Sequence, residues 1–290
     1  ENPEYFSLFS GVSAAVIIGN LAWGLGYFGQ PHIIVRFMAL RKPADARAGR
    51  FYGVSWMFLS LIGAIFVALA GTVFFTNTDH AITDQENYET IFLDMAQVMF
   101  HPLFAGLVLT AVLAAIMSTM SSQMLVVSTS LIEDLFMIVA KKKPSQDVLI
   151  NLSRTAVVAI AIIATVLAIN PSDSILGLVG FAWAGFGSAF GPLVLLSLYW
   201  KRLNSTGAIA GMVTGAIVAV GWGMSALSDA LYELVPGFAI SLVVTVVVSL
   251  VTKAPDTKVV TEFEEASQLA KLVENNKNLG FEEAAEKVQN

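Results

Sequence analysis

Long apolar runs alternate with short polar stretches along the whole chain. Runs free of Asp, Glu, Lys and Arg occupy 5–35, 52–78, 102–132, 155–172, 174–200, 203–228 and 234–252. A helix needs about 20 apolar residues to cross roughly 30 Å of hydrocarbon, so the pattern predicts seven membrane-spanning helices. The first and third runs exceed one span and are expected to hold an interfacial stretch or a break. Between the second and third, residues 77–101 form a loop. Its later part spaces Ile91, Phe92, Met95 and Met99 as a helix does, which predicts a short helix on the membrane surface. After residue 252 the chain turns polar, with Ala/Glu/Lys/Leu-rich patches expected to be helical or partly disordered. At under 40 residues this tail is too short for a kinase or receiver domain.

Charge gives the runs a direction. Counting loops alternately, one side receives Arg36, Arg41, Lys42, Arg47, Arg50, Lys141, Lys142, Lys143, Arg154, Lys201, Arg202, Lys253, Lys258, Lys271, Lys277 and Lys287, which are all 16 basic residues. The other side receives only acids, among them Asp79, Asp84, Glu86, Glu89, Asp173, Asp229 and Glu233. The basic side is cytoplasmic by the positive-inside rule. The N-terminus of the chain is then outside and its C-terminus inside. A wrong span count would scramble this segregation. Composition agrees: 56% of the 290 residues are hydrophobic and 13% charged, against about 25% charged in an average soluble domain. The net charge of −6 brings no basic patch for nucleic acid.

The chemistry such a chain can carry is narrow. With no cysteine there is no disulfide, thiolate metal site or cysteine nucleophile. No acid or basic residue lies deep in a run, as a proton pump or voltage sensor usually requires. His32, His80 and His101 are scattered, whereas a metal site needs convergent ligands. These absences argue against an intramembrane enzyme. What remains is irregular helix and hydroxyls. The stretch Trp23-Gly-Leu-Gly-Tyr27-Phe-Gly-Gln-Pro31 puts three glycines and a proline in nine residues, which interrupts a helix. Exposed backbone survives in a bilayer only where it lines a cavity or is buried in protein. Secondary transporters build midplane sites from such breaks. Close helix packing at a Gly/Pro kink is the alternative. In the third run Ala115, Ser118 and Thr119 share one helix face and present a carbonyl and two hydroxyls, hard ligands for an alkali cation. Back-bonding of the hydroxyls to carbonyls one turn earlier is the alternative. The run Trp183-Ala-Gly-Phe-Gly-Ser-Ala-Phe-Gly-Pro192 predicts a proline kink with small residues for close approach; packing explains it more simply than gating.

Three blocks of the chain resemble the sodium–solute symporter family. They are N-L-A-W-G-L-G-Y-F-G-Q-P-H at 20–32, L-A-A-I-M-S-T-M-S-S-Q-M-L-V-V-S-T-S-L-I-E-D-L at 113–135, and V-G-F-A-W-A-G-F-G-S-A-F-G-P-L-V-L-L-S-L-Y-W-K-R-L-N at 179–204. The likeness runs from about 5 to 252, and the W-G-L-G-Y-F-G-Q-P run points to the proline branch. The resemblance implies an all-α fold of five-plus-five inverted repeats with flanking helices. Residues 1–200 would be the second repeat, its first span broken near 24–31. Residues 201–252 would be two flanking spans and 253–290 an acidic cytoplasmic tail. It further implies import of L-proline, or another small solute of the same family, coupled to Na⁺ across a bacterial-type plasma membrane. Trp23, Tyr27 and Pro31 would line the solute pocket, and Ala115, Ser118 and Thr119 would hold the Na⁺. The first repeat is not in the sequence, and the chain opens on Glu rather than Met. A fragment or split chain that partners an N-terminal half is therefore expected. A non-transporting sensor or scaffold is the competing class.

Overall fold

The structure is a computed structural model that describes residues 7, 10–76, 88–140, 144–169 and 174–275. The predicted residues 77–87 of the loop (with Asp79, His80, Asp84 and Glu86), the lysines 141–143, Asp173 and the tail beyond 275 lie outside them. Every element described is helical. Helix α1 is Ala14–Gly26, followed by a 3₁₀ turn, Tyr27–Gly29, and α2, Pro31–Met38. Helix α3 is Pro43–Thr76, α4 Ile91–Met99, and α5 Pro102–Thr129, running on through a π-helical stretch, Ser130–Phe136, to Val139. Then come α6, Gln146–Ala168; α7, Ile175–Tyr199; α8, Ser205–Gly223; α9, Leu234–Val251; and α10, Thr257–Asn275.

Six of these are long and apolar enough to cross a membrane, with spans that begin at Asp45, Pro102, Gln146, Ile175, Ser205 and Leu234. The first predicted run is the exception, because its break divides it into pieces too short to span alone. Side chains such as Trp56, Ile138 and Leu167 are largely exposed, and α6 buries none of its residues. Apolar surface on this scale is stable against lipid tails, and helices satisfy their own backbone there. The chain is a multi-pass membrane protein.

The chain forms two compact units, with the boundary inside α3: Glu1–Ala48 with Leu176–Asn290, and Gly49–Ile175. The core of the first is Ala184, Leu234 and Phe238, ringed by Leu25, Trp183, Leu195 and Tyr232. Its tightest pairing is α8 on α9. Gly207, Gly211 and Gly215, four apart, present bare backbone to Ser241, Thr245 and Ser249, also four apart; a Cβ on Gly207 or Gly211 would run into Ser249 or Thr245, and one on Gly215 into the Ser188 carbonyl of α7, with Ser241 Cβ at 3.0 Å. Small-residue ridges of this kind let helices approach closely in lipid. Asn204 caps α8 by accepting from the Gly207 N–H at 2.8 Å. Its amide group also donates to Ser249 O, Thr252 Oγ1 and Lys253 O at the end of α9. Arg202 donates there too, to Leu250 O and Thr252 O.

In the second unit α4 forms where the apolar spacing predicts. Thr90 Oγ1 donates to Asp94 at 2.7 Å in its first turn, and Ile91 and Met95 pack over Gly71 of α3. Glu89 accepts from the Ile175 N–H at 2.8 Å. Ser128 Oγ on α5 donates to Ser153 O on α6 at 3.2 Å.

Candidate functional site

The first unit is built around the interruption after Gly26. Ser13 starts α1, its hydroxyl accepting from the Val16 N–H, as N-caps do. At the far end the Tyr27 N–H bonds to Leu25 O, two residues back, and the helix tightens into the 3₁₀ turn. Gln30 is extended (φ −89°, ψ 109°), and Pro31 opens α2 at N1, where its missing N–H costs no hydrogen bond. The break therefore falls where the glycines and proline predict it.

Helix α7 packs against this break. The Trp183 indole N–H donates to Trp23 O at 3.0 Å, and Gln30 Nε2 donates to Trp183 O at 3.2 Å. The Trp183 ring stacks on Trp23 with centroids 5.5 Å apart, and Tyr27 meets it edge-on at 4.8 Å. Trp23 also stacks on Tyr232, at 5.9 Å, from the connector before α9. Tyr232 in turn donates to Gly180 O at 2.7 Å. Burial, with the Glu233 carboxylate adding to it, pushes the Tyr232 phenol well above its ordinary range and keeps it a neutral donor. Two break glycines serve this contact. A Cβ on Gly26 would overlap the Trp183 indole, and one on Gly29 would meet Phe186 O and Gly187 Cα. A Cβ on Gly24, by contrast, would have nothing within 4 Å. Close packing thus explains Gly26 and Gly29, while the break itself still presents side chains outward: Tyr27 is 44% exposed. A groove of about 250 Å³ beside the cluster is lined by Gly19, Asn20, Trp23, Asp229 and Tyr232 among others.

Of the predicted solute residues, Trp23 and Tyr27 share one aromatic cluster, and Pro31 shapes the backbone one residue beyond Gln30. The predicted ion residues belong to the second unit. Ala115, Ser118 and Thr119 are exposed on an unbroken stretch of α5. Thr119 Oγ1 donates to Ala115 O at 3.4 Å, and Ser122 Oγ to Ser118 O at 3.0 Å. The Thr119 bond is the back-bond that stands as the alternative to an ion site, at the long end of hydrogen-bond geometry. His101 caps α5, its Nδ1 accepting from the Leu103 N–H. Among the described residues no group of three His, Asp or Glu side chains is placed to hold a metal. Gln30, Trp183 and Tyr232 are the residues that sequence reasoning left out of the site. A side-chain amide in an apolar run, directly before the proline of the break, was the available signal for Gln30.

A profile of the sodium:solute symporter family matches residues 9–215. The high-affinity proline transporter PutP of Bacillus subtilis is 47% identical over 262 residues, covering 90% of this chain and 55% of that protein. The osmoregulated proline transporter OpuE of the same organism is 46% identical over 256 residues, covering 88% and 51%. A sodium/proline symporter of Staphylococcus aureus is 45% identical over 279 residues, covering 93% and 54%. The chain spans about half the length of these relatives. No solved structure matches it.

Proposed function

The chain belongs to the sodium:solute symporter family, and from that membership we propose that it supplies one half of a sodium-coupled importer of L-proline. The observation that carries this reading is the interruption at 24–31, with Trp23 and Tyr27 gathered at it. The names of the relatives favour proline over other small solutes.

In this reading Tyr27, exposed at the break, holds the amino acid, and Pro31 fixes where the second half-helix starts. Trp23, stacked between Trp183 and Tyr232, borders the solute with the edge of its ring. Ala115 O, Ser118 Oγ and Thr119 Oγ1 give Na⁺ three hard oxygens, and an N-terminal half outside this sequence supplies the rest of both pockets. Na⁺ is a substrate here. An inward-negative potential adds about 2.3 kcal/mol per charge per 100 mV to its entry. Na⁺ binding favours the solute-competent state, and solute must then tighten Na⁺ by the same factor. The second repeat ends near residue 200, two flanking spans follow, and the tail lies in the cytoplasm of a bacterial-type cell.

The test is uptake of labelled proline into proteoliposomes that carry the full gene product. An imposed inward sodium gradient should drive accumulation, and a potassium gradient should not. Sodium-driven counterflow of a different solute, with proline ignored, would move the assignment elsewhere in the family. Binding without any flux would favour a sensor.

A further inference from the structure

One residue of α7 contacts the break from both sides. Trp183 takes the carbonyl of Trp23, which lies before the break, with its indole N–H. It gives its own carbonyl to Gln30, which lies after it. Its ring meets Trp23 face to face and Tyr27 edge to face. The Trp23 carbonyl has lost the Tyr27 N–H, which turns back to Leu25 O, so the indole supplies a donor at the point where the helix stops supplying one. Gln30 is only 4% exposed, and a buried amide without a partner would be costly. Its single described side-chain bond is the one to Trp183. Gly26 leaves the space that the indole fills.

We propose that Trp183 and Gln30 are positioning residues. They do not hold the solute. They fix the angle at which Tyr27 is presented and tie the break to α7, so that the two move as one piece. The part of this inference that concerns solute rests on the proposed function; the part that concerns the break does not.

Two measurements separate them. The first needs no substrate. The chain has no cysteine, so Phe28→Cys places a lone thiol in the break, where Phe28 is already 41% exposed. Its labelling rate with a maleimide should rise severalfold when Trp183→Phe removes the indole donor, and again severalfold with Gln30→Met. The double variant should rise little beyond either, because the two residues act on one contact. An unchanged rate in both backgrounds overturns the proposal whatever the protein transports. The second measurement is kinetic and uses the full gene product. Trp183→Phe, which keeps a ring, should raise the proline concentration for half-maximal uptake on the order of tenfold, the effect of one buried hydrogen bond. Maximal rate and sodium half-saturation should each change less than about twofold. A fall in maximal rate with proline affinity intact would mean that Trp183 serves folding alone. Absence of proline uptake by the unsubstituted protein would refute the proposed substrate and leave the labelling result standing.

Discussion

Gly24 and Gly26 lie two residues apart in α1 and meet opposite surroundings. A methyl group at Gly26 would overlap the Trp183 indole, whereas one at Gly24 would meet open space. Gly26→Ala should therefore destabilise the protein by about 1–3 kcal/mol, as overpacking does. Gly24→Ala should be neutral or gain up to about 1 kcal/mol from the reduced freedom of the unfolded chain. Thermal unfolding in detergent would show the contrast, and equal midpoints for the two would mean that Trp183 can retreat. Ser118 and Thr119 call for a different measurement. Both are exposed, and the Thr119 hydroxyl makes a back-bond of 3.4 Å. Ser118→Ala and Thr119→Ala should each leave stability within about 0.5 kcal/mol. In the full gene product each should raise the sodium concentration for half-maximal proline uptake roughly tenfold. Unchanged sodium dependence would return both hydroxyls to a packing role. These residues could be named from sequence because hydroxyls at i and i+1, one turn past an exposed carbonyl, are visible in the letters. Trp183 could not, because an indole on one helix reaching a carbonyl on another is a fact of packing.

At the scale of elements, the breaks and caps divide the same way. Three glycines and Pro31 announce the end of α1, since each acts on its own backbone. The π-helical stretch at Ser130–Phe136 has no glycine or proline to mark it, so no letter announces it. The α8–α9 pairing is an intermediate case. Gly207, Gly211 and Gly215 stand out as a four-residue repeat, but only the structure shows that they meet Ser241, Thr245 and Ser249, and that Gly215 also meets the Ser188 carbonyl of α7. Asn204 was hidden for the same reason, its partners lying more than 40 residues away in α9 and just beyond it. Replacing Asn204 with Ala removes the cap of α8 and the two amide hydrogens shared among three acceptors at the end of α9, and should cost roughly 2–3 kcal/mol. Asn204→Asp keeps the acceptor for the Gly207 N–H but sets a carboxylate oxygen against the Ser249 and Lys253 carbonyls, so it should cost at least as much as Ala. An unfolding midpoint unchanged in both variants would mean that the α9 end is held by Arg202 alone.

For the whole molecule the strongest pattern is charge. All 16 basic residues fall on one side of the predicted spans, a bias that sets orientation during insertion. The connector between α8 and α9 carries Asp229 and Glu233 with no Lys or Arg, while the ends joined by Lys201, Arg202 and Lys253 are basic. These two connectors flank the same pair of helices, so their placement is a single choice: if one is outside, the other is inside. Since the chain contains no cysteine, one thiol at a time reads it out. Ala226→Cys, in the acidic connector, should react with a membrane-impermeant maleimide on intact cells. Ala254→Cys, after α9, should react only once the membrane is opened. Both positions are exposed, so a failure to react reports the membrane and not burial. Labelling of Ala254→Cys from outside would invert the molecule, and the sixteen charges would then face the wrong compartment for a protein whose orientation they are supposed to decide.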